Sequence, residues 1–205
     1  MLFRLQPEVL ALLIPVLLFA LVFHEFSHGW VAYKLGDPTA KHQGRLTLNP
    51  IAHLDLMGSM ALLIMGFGWA KPVPVNEHRL QPREQGMMWV ALAGPLSNVC
   101  IAVVCSVLLK LALLMGPELV NQYRYVLIFL RDCVVINIVL AVFNMIPIPP
   151  LDGSRVIMRF LPASLQSLMI RVEPYGMMIV ILLAFFGFLS VILTATVPPI
   201  LNWLL

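Results

Sequence analysis

The stretch "LLIPVLLFALVFHEFSHGW", Leu12 to Trp30, decides how this chain is read, because it sets His-Glu-x-x-His at the end of an apolar run. Charge and imidazole are costly in hydrocarbon, so a cluster of this kind needs a compensating partner. The rest of the chain must supply it.

Composition places the cluster in a membrane. Of 205 residues, 60% are hydrophobic and 11% charged, and the mean hydropathy is +0.93, well above an ordinary soluble domain. Each bilayer crossing consumes roughly 20 residues, so the length suits a single membrane-embedded domain over residues 1–205. The predicted fold class is α, a polytopic membrane bundle of about four spans with a short β-containing or re-entrant insertion between the first two. The spans are predicted from Leu5 or Glu8 to Leu35, from Met87 to Met115, from Tyr123 to Ile146 and from Tyr175 to Leu205. Leu5 to Phe23 is long for a signal-peptide h-region and no small-residue cleavage site follows it, so a cleavable leader is not expected. Between Gly36 and Gly86, pieces such as "GRLTL" and "KPVPVN" favour short strands and turns. The piece "MGSMALLIMGFGWA" is too short to span and is expected to dip in or lie at the interface. Gly153 to Glu173 reads as a short amphipathic helix.

The formal charge of +3 is scattered, which argues against nucleic acid as a partner. With four spans, Lys34, Lys41, Arg45, Lys71, Arg79, Arg83, Arg155, Arg159 and Arg171 fall on one side, and Arg4, Lys110 and Arg124 on the other. The positive-inside rule turns the richer side, which also holds the His-Glu-x-x-His end, to the cytoplasm. Cys100, Cys105 and Cys133 sit in apolar runs without C-x-x-C spacing and read as core hydrophobes.

On a helix, His24 and His28 project from nearly the same face one turn apart and can reach one ion. Neutral imidazole suits zinc, and a catalytic zinc takes three protein ligands plus water. Glu25 sits beside a ligand without being one, placed to accept a proton from a water that the metal acidifies. A third ligand must come from elsewhere. Asp152, in "PIPPLDG" at the cytoplasmic end of the third span, is the best candidate, since a cation would keep its carboxylate ionised in a dry setting.

"HEFSH", "ALAGPLSN" and "NMIPIPPLDG" together resemble the site-2 protease family of intramembrane zinc metalloproteases, and "GRLTLNP" and "GWAKPVPVN" resemble its compact prokaryotic branch. The resemblance implies a prokaryotic cell (inner) membrane as the location, and that His24, His28 and Asp152 hold one Zn²⁺ per chain. It implies that Glu25 activates water to attack a peptide bond in a membrane-protein substrate, and that Asn144 positions the substrate backbone. The loop from Gly36 to Asn76 is expected to offer a strand edge to an unwound substrate.

Other readings stand beside this one. A membrane zincin with a Glu third ligand would use Glu77, Glu84 or Glu173. A non-catalytic metal-binding membrane protein is another reading; in its transporter form it would need polar residues along several spans, and spans two and four offer almost none. His42, His53 and His78 read as solvated or locally bonded, Asp55 as a turn or cap residue, Arg131 and Asp132 as a structural pair, and Asn98 as a cross-helix bond in preference to a contact with the site. The twelve methionines read as packing and Trp30, Trp69 and Trp89 as interfacial belts. The oligomeric state is not legible.

Overall fold

The computed structural model describes residues 7–65 and 68–205. Arg4 and a start of the first span at Leu5 lie outside them, as do residues 66–67 of the dipping segment. The described elements are helices: α1 (Pro7–Lys34), α2 (Thr39–His42), α3 (Leu56–Met65), α4 (Arg83–Leu113), α5 (Pro117–Gln122), α6 (Arg124–Asn144), α7 (Asp152–Met158), α8 (Ala163–Val172), α9 (Gly176–Phe185) and α10 (Phe188–Leu204). Four stretches are long and apolar enough to cross a membrane: Val9–Lys34, Gln85–Leu113, Arg124–Asn144 and Ala163–Phe185. The chain is therefore a multi-pass membrane protein.

Three of these stretches coincide with the spans read from the sequence, and the fourth differs. A single helix from Tyr175 to Leu205 does not form, because Gly187 takes φ +79° and turns the chain between α9 and α10. The same device ends α1. Gly36 adopts φ +99°, while Gly36 N–H donates to Tyr33 O and Asp37 N–H to Ala32 O, which satisfies carbonyls that the helix end would orphan.

In lipid, burying apolar side chains gives helices little reason to associate, so close packing and cross-helix hydrogen bonds carry the contact. Val16 of α1, Ala102 and Cys105 of α4, Cys133, Val134 and Ile138 of α6, and Val197 and Leu204 of α10 form one buried cluster. Small residues bring the helices close, with Ala20 and Ala102 both fully buried. Ser106 of α4 donates its hydroxyl to the Leu204 carbonyl of α10. Outward faces stay apolar: Phe185, Phe188 and Val191 are each at least 60% exposed, as lipid contact allows.

The expected β-containing insertion is not found: among the described residues there is no strand, only one isolated antiparallel bridge between Leu54 and Ala70. The Lys71–Pro74 run does not extend the bridge. Lys71 N–H to His53 O, at 2.8 Å, is the bridge's own hydrogen bond; beyond it Val73 N–H goes to Glu25 Oε2 at 2.9 Å, and Pro72 and Pro74 have none to give. No N–H after Lys71 is left in that run to lengthen the ladder.

Side chains hold the insertion on the bundle instead. Asp37, fully buried, accepts from Thr39 N and Oγ1 through Oδ1 and from Asn76 N through Oδ2 at 2.6 Å. Arg45 donates to Lys71 O at 2.7 Å, and Asp55 caps α3 by accepting from Gly58 N at 2.8 Å. Replacing Asp37 by Ala strands these donors, so Asp37→Ala should cost about 2–3 kcal/mol in unfolding experiments in detergent. Faster amide exchange at Asn76, with α4 and α6 unaffected, is the expected accompanying change.

Candidate metal centre

Helix α1 runs unbroken through the motif and presents His24 and His28 on one face, both buried. Asp152 opens α7. Two features set its position. Ser154 donates to the Leu151 carbonyl through both its N–H, at 3.0 Å, and its hydroxyl, at 2.7 Å. Gly153 lies so close to the Met145 and Ile146 carbonyls that a Cβ would fall within 3.0 Å of each. The result is a triangle: Nε2 of His24 lies 3.0 Å from Nε2 of His28, and Asp152 Oδ2 lies 3.2 and 3.3 Å from the two nitrogens.

Which ring nitrogens carry protons follows from their other partners. Nδ1 of His28 faces the Val90 carbonyl at 2.7 Å, and a carbonyl can only accept, so this nitrogen is N–H. Nδ1 of His24 faces Asn98 Oδ1 at 2.6 Å, and the Asn98 amide nitrogen is turned toward two other acceptors. In the neutral rings both Nε2 atoms therefore present lone pairs. Asp152 Oδ2 is buried and accepts no hydrogen bond. Three electron-rich atoms thus converge with no proton between them, a repulsive arrangement unless a cation sits at the focus. Their separations approach the about 3.3 Å ligand-to-ligand distance that zinc bonds of 2.0–2.1 Å impose in a tetrahedron. Among the described residues these are the three His, Cys, Asp or Glu groups placed to share an ion.

Burial works against ionisation of the Asp152 carboxyl, and a cation at the focus would favour the charged form. The triangle opens on a cavity of about 510 Å³ lined by Leu21, Trp69, Leu140, Phe143, Met177 and Val180, with Glu25, Asn144 and Asp152 as polar members. Glu25 is steered by its bond from Val73 N. Asn144 donates Nδ2 to Leu140 O of its own helix at 3.0 Å while lining the cavity.

The remaining candidates fall elsewhere. Glu77 and Glu173 both pair with Arg155, away from the triangle, and the side chain of Glu84 lies outside the described residues. His53 is buried and bonded to Thr47 O, His42 and His78 are exposed, and Arg131 pairs with Asp132 at 2.8 Å. Sequence reasoning missed two participants, Trp69 and Gly94, and gave the site contact of a third, Asn98, the lesser weight. Trp69 lines the cavity rather than a belt. Asn98 bonds a site histidine as well as bridging helices; an amide in an apolar run was the signal for it. Gly94 lies against both imidazoles, and nothing in the sequence marked it beyond its small size.

Comparison with known proteins agrees with this chemistry. Residues 121–187 match Peptidase family M50. The chain is 42% identical, over 83% of its length and 78% of the relative's, to the "Putative zinc metalloprotease YwhC" of Bacillus subtilis. It is 30% identical to the correspondingly named Rip2 of Mycolicibacterium smegmatis, covering 85% of this chain and 67% of the relative. A third, MJ0611 of Methanocaldococcus jannaschii, is 33% identical across 66% of this chain and 63% of its own. No solved structure matches.

A Cβ at position 94 would fall within 3.0 Å of Nε2 on both His24 and His28. Ala is a better helix former than Gly by about 1 kcal/mol, so a loss on substitution would not reflect a weaker helix. Gly94→Ala should lower zinc affinity by about 10-fold or more, with unchanged helix content by circular dichroism.

Proposed function

Given that the chain belongs to Peptidase family M50 and is a zinc metalloprotease, we propose that it hydrolyses peptide bonds in or near transmembrane segments of membrane-protein substrates. The observation that supports this most directly is the triangle of His24, His28 and Asp152, opening on an apolar cavity with an acid, Glu25, in its wall.

His24 Nε2, His28 Nε2 and Asp152 Oδ2 would hold one zinc per chain. Zinc so held supplies Lewis acidity, polarising a carbonyl and lowering the pKa of water toward neutrality. Glu25 is then the general base, taking the proton of the attacking water and returning it to the departing amine. Its carboxylate is oriented for this by the Val73 amide, which occupies Oε2. Leu21, Trp69, Phe143, Met177 and Val180 exclude water and receive apolar side chains of the substrate, while Asn144 positions its backbone. A transmembrane helix must unwind locally to expose a carbonyl here, since its amides are otherwise engaged. The excess of Lys and Arg on the side of the motif turns the site to the cytoplasmic face, in a prokaryotic cell membrane. Family membership favours hydrolysis over transport or metal storage, and the Arg155 pairing of Glu77 and Glu173 disfavours either as third ligand.

Purified protein in detergent, assayed for bound zinc and for cleavage of a single-pass membrane substrate, tests this reading. Glu25→Gln should retain zinc and lose cleavage by about 10²–10⁴-fold. Asp152→Ala should lose both, whereas Glu77→Gln and Glu173→Gln should keep the metal. Zinc retained in Asp152→Ala would refute the ligand set.

A further inference from the structure

Two asparagines that neither bind a metal nor line the cavity make a connection across three helices. Both Asn98 of α4 and Asn137 of α6 are fully buried. Nδ2 of Asn137 donates to the Cys133 carbonyl of its own helix at 2.8 Å, which fixes the sense of that amide. Its Oδ1 then accepts from Asn98 Nδ2 at 2.8 Å, and the second proton of Asn98 Nδ2 reaches the Ala20 carbonyl of α1 at 3.2 Å. With its nitrogen committed twice, Asn98 can present only Oδ1 to Nδ1 of His24, at 2.6 Å. Reversing the Asn98 amide would set its oxygen against two other oxygens, a costly arrangement in a dry interior.

We propose that Asn98 and Asn137 are positioning residues that hold His24 in the Nδ1–H tautomer, with Nε2 free to bind a divalent cation at the His24, His28 and Asp152 focus. The proposal rests on the metal-centre reading above and deepens it. The two imidazoles are held differently. His28 is oriented by a backbone carbonyl, Val90 O, which no side-chain substitution removes. His24 depends on side chains alone at Nδ1, and so its ligating power is set by a polar pair placed between helices. Partners of this kind orient a metal-binding imidazole and raise its basicity.

The test uses the full chain in detergent, with zinc affinity measured by chelator competition and coordination read from the visible absorption bands of the cobalt(II)-substituted protein. Asn98→Leu removes the acceptor and should weaken zinc by about 10–100-fold and shift the cobalt bands. Asn98→Asp keeps an oxygen toward His24, and in its protonated form also a donor toward Asn137, so it should bind zinc close to wild type. A packing role predicts the reverse order, because Leu suits an apolar interior better than Asp. Asn137 acts through Asn98, so Asn137→Leu should weaken zinc less than Asn98→Leu does, and the double variant should match Asn98→Leu alone.

Unchanged affinity and cobalt bands in Asn98→Leu, weaker binding in Asn98→Asp than in Asn98→Leu, or multiplied losses in the double variant would each overturn the relay. If Asn98→Leu does not fold, Asn137→Leu decides: reduced affinity supports the relay and wild-type affinity overturns it. Wild-type protein that binds zinc no better than Asp152→Ala overturns the metal-centre reading, and the relay with it.

Discussion

Three acceptor atoms, two imidazole nitrogens and a carboxylate oxygen, are held within 3.3 Å of one another in the interior of a membrane protein. That constraint governs the rest of the structure. Desolvating lone pairs and a negative charge is unfavourable, and bringing them together is more so. The fold supplies the force. Helix α1 fixes the two rings one turn apart, α7 delivers Asp152 from a segment far along the chain, and α4 passes behind both rings where Gly94 has no side chain to intervene. A cation at the focus would turn this repulsive triangle into a binding site and offset the cost of placing such residues in hydrocarbon.

Much of this was legible in the sequence, for physical reasons that can be named. The i, i+4 spacing of His24 and His28 survives translation into three dimensions because a long apolar run has few alternatives to helix in lipid. Asp152 was legible because ionisable residues near apolar segments are few, and each demands a partner. Three spans were found at nearly their observed limits for the same reason. The fourth was not, because a single left-handed glycine, Gly187, ends α9 where hydropathy alone sees one continuous run.

The insertion between α1 and α4 was the least legible part. Pieces such as "GRLTL" and "KPVPVN" suggested strands, but strand formation depends on which backbone donors remain free, and that is decided by contacts between residues far apart in sequence. Glu25 takes the Val73 N–H and Asp37 the Asn76 N–H, pairings invisible to local propensity. Asn98 was legible in part. Its sequence neighbourhood marks a polar group that can bond across helices or touch the site, but not that it does both, nor that its partner there is His24.

The bond from Val73 to Glu25 has a consequence for how "KPVPV" can sit. Within Pro72-Val73-Pro74 only the middle residue carries an amide hydrogen, and the acid on α1 consumes it. Sliding the run by one position in either direction would offer the carboxylate an imino acid with nothing to donate. The alternation therefore acts as a ratchet tooth, locking the registration of the cavity rim to the same side chain that is proposed to shuttle protons. Whatever displaces the rim also releases the base from its orientation.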